Sequence, residues 1–409
     1  MKIAIPKESS GETRVAASPE VVKKLIGLGF SVTVEKDAGT LASFTNDAFK
    51  EAGATIAKDT ATALKSADIV LKIQCPTTSG AKSELGMMKK GAMLMASLGA
   101  LSNKKDMEAI AKAGVTAFAM ELMPRITRAQ SMDILSSQSN LAGYKAVLDA
   151  AAEYGSAFPM MMTAAGTIAP ARAFIMGVGV AGLQAIATAK RLGAIVTATD
   201  VRPATKEQVE SLGGKFLEVD AEMEKDAQTK GGYAKEMPPE YFEKQKQVVS
   251  EHIAKQDIVI TTALIPGRAA PRLVTAAMVA SMKPGSVLLD LAVERGGNVE
   301  GAQPGEIVTT ANGVKIVGHA NVPGRLAATS SSLYAKNLFA FLEIMIDKAT
   351  KSVVVPWEDE LVKATLLTRD GAVVHPSFAE AAAALPADAS AASEAPAKPK
   401  AAPKKSTKA

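Results

Sequence analysis

Short apolar runs of about three to five residues recur along the first third of the chain, separated by stretches with helical spacing. Ile3–Ile5, Val32–Glu35, Ile69–Ile73 and Met93–Ala96 read as buried strands, with Val115–Ala119 as a further one. Pro19–Leu28 and Asp47–Ala52 read as helices. A long helix follows. Ala142–Tyr154 keeps its period, and Asp133 or Ser136 can cap it. The alternation then restarts. Ala173–Met176 reads as a strand, Ala181–Leu192 as a helix and Ile195–Thr199 as a strand, with Ile258–Thr262, Ser286–Asp290 and Val314–Val317 as later strands. Ser331–Lys348 reads as a second long helix that packs back on the first unit. Strands alternating with helices imply right-handed crossovers and parallel sheets.

The pattern breaks twice. Ala221–Phe242 is charged, holds Gly231–Gly232 and Pro238–Pro239, and is too long for a plain connection, as functional lids are. From Ala379 onward the chain is Ala, Pro, Ser and Lys without apolar period, which predicts a solvated tail.

Composition sharpens this picture. Of the 409 residues, 47% are hydrophobic but only 4% aromatic, which suits Ala-rich helices laid on parallel strands. The formal charge is +5, and five Lys against three acids in the tail supply +2 of it. The remainder makes no basic patch, so nucleic-acid binding is not expected. The single cysteine, Cys75, fits a reducing compartment. Lys7 and Glu8 interrupt the opening residues, so no secretion signal is read. The most apolar run, Leu338–Ile346, is only nine residues and contains Glu343, so no membrane insertion is expected.

Gly177-Val-Gly179-Val-Ala-Gly182 is a G-x-G-x-x-G turn in full context. A strand precedes it, a helix and a strand follow, and Asp200 closes that second strand. Gly177 permits the turn, Gly179 admits a pyrophosphate to the helix N-terminus, and Gly182 lets helix and strand press together. Val180 falls in the same loop. Asp200 can accept both hydroxyls of an adenosine ribose and repels a 2′-phosphate, which favours NAD(H). Arg202 is the counter-signal. The class is therefore α/β: two Rossmann-like, doubly wound parallel-sheet domains joined by long helices. The first takes residues 1–135 with 327–378, and the NAD(H)-binding domain takes 136–326.

A dehydrogenase of small substrates needs a proton donor or acceptor, commonly His or Lys. The three histidines are His252, His319 and His375. Only His319, after a strand in VGHANVPGR, is placed to line a cleft. The stretch from Pro124 to Ser136 packs Arg125, Arg128, Gln130, Ser131, Met132, Asp133 and Ser136 between a strand and a helix. Its amide and carboxylate suit a carboxamide and a ribose. A polar hinge with an N-cap is the other reading.

RITRAQSMDILSSQSNLAGYKAV, taken with the glycine turn and the stretch through Phe216, resembles the NAD(H)-binding component of proton-translocating NAD(P)+ transhydrogenase. The likeness covers Met1 to about Phe378. It implies hydride exchange between NAD(H) here and NADP(H) on a partner subunit, coupled to proton movement by a membrane-spanning subunit. It implies that Arg125, Gln130, Asp133 and Ser136 attend the nicotinamide end. Val180, Asp200, Val201 and Arg202 take the adenosine end. Gly232 and Tyr233 fall in a mobile loop, and Gln245 and Leu264 make further contacts. A homodimer is implied too, as is a separate soluble subunit, cytoplasmic and peripheral on an energy-coupling membrane. The runner-up is alanine dehydrogenase, with Arg14 and Lys72 at substrate-binding positions. The chain departs from that family at two points: it has no histidine between Met88 and Asn103, and Glu294 stands where that family has Asp.

Overall fold

The computed structural model describes residues 1–224, 227, 237–265, 267–347 and 349–378. The expected alternation of strands and helices is present, in two sheets. Before residue 134 the chain lays down β1 (Lys2–Ile5), α1 (Pro19–Gly27), β2 (Ser31–Glu35), α2 (Asn46–Glu51), β3 (Thr55–Ala57), α3 (Thr60–Leu64), β4 (Ile69–Leu71), β5 (Met93–Ala96), α4 (Lys104–Lys112) and β6 (Thr116–Ala119). Next come α5 (Ile134–Glu153) and an isolated hairpin, β7 (Met161–Thr163) and β8 (Gly166–Ile168). The second unit holds β9 (Arg172–Met176), α6 (Val180–Arg191), β10 (Ile195–Thr199), α7 (Thr205–Ser211), β11 (Lys215–Phe216), α8 (Ala221–Glu224), α9 (Pro239–Ile253), β12 (Ile258–Thr261), α10 (Ala276–Ser281), β13 (Val287–Asp290), β14 (Ile307–Thr309) and β15 (Lys315–Val317). The chain closes with α11 (Ala327–Glu343), β16 (Ile346–Asp347), β17 (Ser352–Val353), α12 (Glu360–Thr365), β18 (Leu366–Arg369) and β19 (Ala372–Val373).

The sheet orders are β19-β18-β6-β5-β4-β1-β2-β3 and β11-β10-β9-β12-β13-β15-β14. Their centres are parallel and buried on both faces, as the apolar runs require. The edges differ from the all-parallel expectation: β18 runs antiparallel to β6, and β14 antiparallel to β15. The returning segment thus completes the first sheet, where Leu366 pairs with Phe118.

Each sheet reverses its winding once. In the second sheet this occurs between β9 and β12, and in the first between β1 and β4. Ligands of open α/β sheets lie at such switch points, beyond the strand C-termini.

The two long helices link the units. Asp133 caps α5, accepting the Ser136 N–H at 2.9 Å, so the helix starts a full turn or more before the period of Ala142 onward becomes readable. Both sides of α5 are packed, which erases a one-sided apolar stripe. Gly143 is where it crosses α6: a Cβ there would stand 2.0 Å from the Ala181 carbonyl oxygen. Helix α11 starts four residues before the expected Ser331 and ends at Glu343.

Candidate functional site

The glycine turn sits at the switch point of the second sheet. Gly177 follows β9 with φ +95°, a conformation side chains resist. A Cβ on Gly182 would stand 1.9 Å from the Gly177 carbonyl oxygen, so α6 presses on its own entry turn. Gly179 is the N-cap of α6 and offers no side-chain cap. Its ideal Cβ would meet nothing within 4 Å. The first-turn N–H groups, at the positive end of a twelve-residue helix, have no side-chain cap and adjoin open space, the arrangement that receives a phosphate. Val180 opens the helix, half-buried. From the neighbouring strand, the Thr262 hydroxyl donates to the Gly177 carbonyl at 3.0 Å, joining the two sides of the switch.

Asp200 follows β10 and already has four donors. Oδ2 accepts the Val178 N–H at 2.7 Å and Arg202 Nη2 at 2.7 Å. Oδ1 accepts the Arg202 N–H at 2.9 Å and Nε at 2.8 Å. The hydrogen bond to Asp200 raises the Arg202 pKa, with burial opposing it. Sequence alone casts these residues as rivals for a nucleotide; in the structure they are partners. Val201 packs at the base of the same end, against Tyr241 and Met237. Gln245 is half-buried on α9, four residues from each of the buried Tyr241 and Val249. Gly232 and Tyr233 lie outside the described residues.

The polar stretch leads into the start of α5. Thr127–Met132 forms a 3₁₀ turn, in which residues three apart share a face. Ala129 (1% exposed) and Met132 (5% exposed) point into the first core, leaving Gln130 and Ser131 exposed. Arg125 is exposed at its start. Arg128 pairs with Asp359, the cap of α12. Asp133 and Ser136 bond each other at the head of α5.

A cleft of about 360 Å³ lies between the units. Ile134, Leu135 and Ser139 of α5 line it, with Ala181 of α6, Thr262 and Leu264. The structure thus brings Leu264, the head of α5 and the start of α6 to one cavity. Arg125, Gln130 and Asp200 do not line it. His319 does not line it either. Burial lowers the His319 pKa, with Arg325 adding to the effect. His252 accepts or donates to Thr197 at 2.8 Å and packs edge-on against Phe174. His375 meets the Ala364 carbonyl.

The arrangement at the inner end of the cleft is not foreseen by the sequence. Arg14 is forked by Glu12, with Nε–Oε1 at 2.8 Å and Nη2–Oε2 at 2.7 Å, while its Nη1 donates to Gln138 at 2.8 Å. Burial opposes the Arg14 charge, but Glu12 outweighs it and raises the pKa. Lys72, 2% exposed, sits at the first sheet's switch point between Glu84 at 2.8 Å and Glu8 at 3.3 Å. Burial works against this charge too, and the two carboxylates hold the Lys72 pKa above its usual value. Both cations are consumed by the protein's own carboxylates. Cys75 beside them is pushed up to about 12 by burial, so its thiol stays protonated.

Sequence reading also misses the asparagines and Gln138 behind these loops. Asn298 donates to the Ala263 and Pro271 carbonyls and accepts the Ala263 N–H. Only the fold brings such partners together.

Comparison with known proteins bears on these features. The family model "Alanine dehydrogenase/PNT, N-terminal domain" matches residues 4–142, and its C-terminal counterpart matches residues 146–376. The chain is 63% identical over 379 residues to the first part of the NAD(P) transhydrogenase subunit alpha of Rhodospirillum rubrum, covering 92% of this chain and 98% of that one. It is 30% identical over 391 residues to an alanine dehydrogenase of Halomonas elongata, covering 93% and 96%. Among solved structures, the transhydrogenase from Sinorhizobium meliloti superposes with a TM-score of 0.82 at 55% identity, covering 91% of this chain and 100% of that one.

Proposed function

Because the chain belongs to the alanine dehydrogenase/PNT family, we propose that it is the NAD(H)-binding component of a proton-translocating transhydrogenase. Hydride passes directly between NAD(H) here and NADP(H) on a partner subunit. A membrane-spanning subunit couples that exchange to proton movement. Among the described residues no helix is long and apolar enough to cross a membrane, which fits leaving the proton path to that subunit. In this reading the component is cytoplasmic and peripheral on the inner side of an energy-coupling membrane.

The reading is supported by a phosphate-receiving turn at the start of α6 and a loop of amide, hydroxyl and carboxylate groups at the start of α5, two helices that cross at Gly143 and line one cleft. The pyrophosphate lies against Gly177, Gly179, Val180 and Gly182. Asp200, Val201 and Arg202 take the adenosine end, and Gln245 and Leu264 give further contacts. Arg125, Gln130, Ser131, Met132, Asp133 and Ser136 make up the nicotinamide side. Hydride transfer between two nicotinamide rings takes up and releases no proton, so orientation and exclusion of water are the main tasks. Carboxamide and ribose are held by hydrogen bonds from groups such as Gln130 and Asp133. The consumed charges of Arg14 and Lys72 argue against amino-acid oxidation, since a substrate carboxylate would have to displace Glu12 or Glu8 from a buried pair.

The chain acts as a homodimer in this reading. The hairpin β7–β8 is exposed along both strands, with Met162 78% and Met161 40% exposed, and it belongs to neither main sheet. A second copy is the occupant that suits such a Met-rich ribbon.

The test mixes the full chain with an NADP(H)-binding component and follows single-turnover hydride transfer. Gln130→Asn should slow transfer about ten-fold or more while NADH affinity changes little. Absence of transfer by the unaltered chain, or NADH formation from alanine and NAD+ at ordinary turnover, would refute the assignment.

A further inference from the structure

The 3₁₀ turn carrying Gln130 ends on carbonyls that its own backbone cannot satisfy. One of them, the Ser131 carbonyl, accepts a hydrogen bond of 2.8 Å from the Asn337 side chain. Asn337 lies on α11 and is 6% exposed. It shares one face of that helix with Ser330, Tyr334 and Phe341, three or four positions apart. Each polar member of this face has a job. Ser330 bonds Gln138, and Tyr334 donates to the carbonyls of Lys72 and Ile73. The amide oxygen of Asn337 accepts from the Ser137 hydroxyl at 2.7 Å, and Ser137 in turn accepts from Gln138. A continuous chain of side chains therefore runs from Arg14 at the floor of the cleft, through Gln138, Ser137 and Asn337, to the back of Ser131.

A buried amide is unfavourable unless it is hydrogen-bonded, and an aliphatic residue would pack beside Leu338 and Phe341 without that requirement. What the amide supplies is direction. Ala129 and Met132 fix the turn's depth, but apolar contacts alone leave its rotation soft. One donor on the Ser131 carbonyl sets which way Gln130, Ser131 and Asp133 face.

We propose that Asn337 is a positioning residue for hydride transfer: it touches no nucleotide, and it holds the Gln130–Asp133 loop at the angle the nicotinamide requires. The inference rests on the function proposed above. It predicts a separation of rate from affinity, because the adenosine and pyrophosphate contacts are remote from Asn337.

The experiment uses the full chain with an NADP(H)-binding component, reading single-turnover transfer at saturating NADH, NADH affinity by fluorescence titration, and the melting temperature. Asn337→Asp keeps shape and the acceptor toward Ser137 but sets an oxygen against the Ser131 carbonyl. Transfer should fall about ten-fold to a hundred-fold, with affinity held within about three-fold. Ser137→Ala frees the Asn337 amide oxygen and one Gln138 N–H but leaves the bond to Ser131, and should cost about two-fold to five-fold in rate. Gln130→Asn is run beside them. If it slows transfer while folded Asn337 variants match the unaltered chain, the positioning role is overturned and the function stands. If neither substitution matters, the function itself has failed. A rate loss matched by equal losses of affinity and melting temperature also overturns the role, since a purely structural residue gives that result. Should Asn337→Asp not fold, an unchanged rate in Ser137→Ala overturns it.

Discussion

The Arg202 guanidinium closes as a fork on the Asp200 carboxylate, with Nε to Oδ1 at 2.8 Å and Nη2 to Oδ2 at 2.7 Å. With the backbone N–H groups of Val178 and Arg202, four donors meet a group with about four acceptor positions. A ribose can bond Asp200 only by displacing the fork. The same fork keeps Arg202 from a 2′-phosphate. Asp200→Asn should therefore weaken NADH binding about ten-fold and narrow the preference over NADPH by at least that factor. Fluorescence titration with both nucleotides measures it, and an unaltered preference would remove Asp200 from the selectivity argument.

Two glycines allow packing and binding to be separated. Gly182→Ala drives a methyl into the Gly177 carbonyl, and Gly143→Ala drives one into the Ala181 carbonyl. Neither obstacle is a flexible side chain. Each substitution should destabilise by about 1–3 kcal/mol. The Gly182 change strikes the Gly177 carbonyl inside the turn, whereas the Gly143 change pushes on α6 from outside at Ala181, so NADH binding should fall far more in Gly182→Ala than in Gly143→Ala. Thermal melts with titration decide the matter. Equal binding loss in both variants would mean that the turn is not the binding element.

Stability should depend on pH through His252. Burial, then the positive charges of Lys255 and Arg172, hold its pKa below the ordinary imidazole value of 6.5. The unfolded chain then takes up the proton first as pH falls. The contribution is complete above the ordinary value and is lost as pH drops toward the lowered one. His252→Gln keeps a hydrogen-bonding atom for Thr197 but cannot titrate. Between about pH 7.5 and 5.5 it should lose less stability than the parent, by at most one proton's worth, about 1.4 kcal/mol per pH unit. Parallel denaturation curves at each pH would contradict this.

The exposed hairpin gives a prediction about assembly. Met162→Lys places a charge at a position that is 78% exposed in a single chain, so folding should be unaffected. If a second copy covers the hairpin, the dimer should dissociate to monomers at micromolar concentration. Sedimentation equilibrium reads it directly. A variant as dimeric as its parent would place the interface elsewhere.

Much of the fold is readable because buried parallel strands are built from apolar runs: Ile69–Leu71 and Val287–Leu289 stand out by composition alone. Strands of two or three residues, such as β11 and β19, carry too little pattern. The hairpin Met161–Ile168 escapes because an exposed ribbon lacks the alternation that a half-buried strand shows. The glycine turn is legible because each glycine meets a local steric demand. Asn337 and Gln138 are not, since their partners lie 206 and 124 residues away along the chain. The Asp200–Arg202 fork is only two residues long, but sequence presents these as two opposed charges near a ribose and does not say that they satisfy each other.

The join between β6 and β18 sets a timetable for making the protein. Ala117 and Thr368, bonded across that join, are 251 residues apart. At about 5–20 residues per second, β6 leaves the ribosome some 10–50 s before its neighbour exists. For that interval the nascent chain carries a bare strand edge, and Phe118 lacks the ring of Phe341. The strands from Arg172 to Val317 need nothing synthesised later to complete their sheet. The second unit is therefore expected to become protease-resistant first on a stalled ribosome, and the first unit, though begun earlier, to finish last.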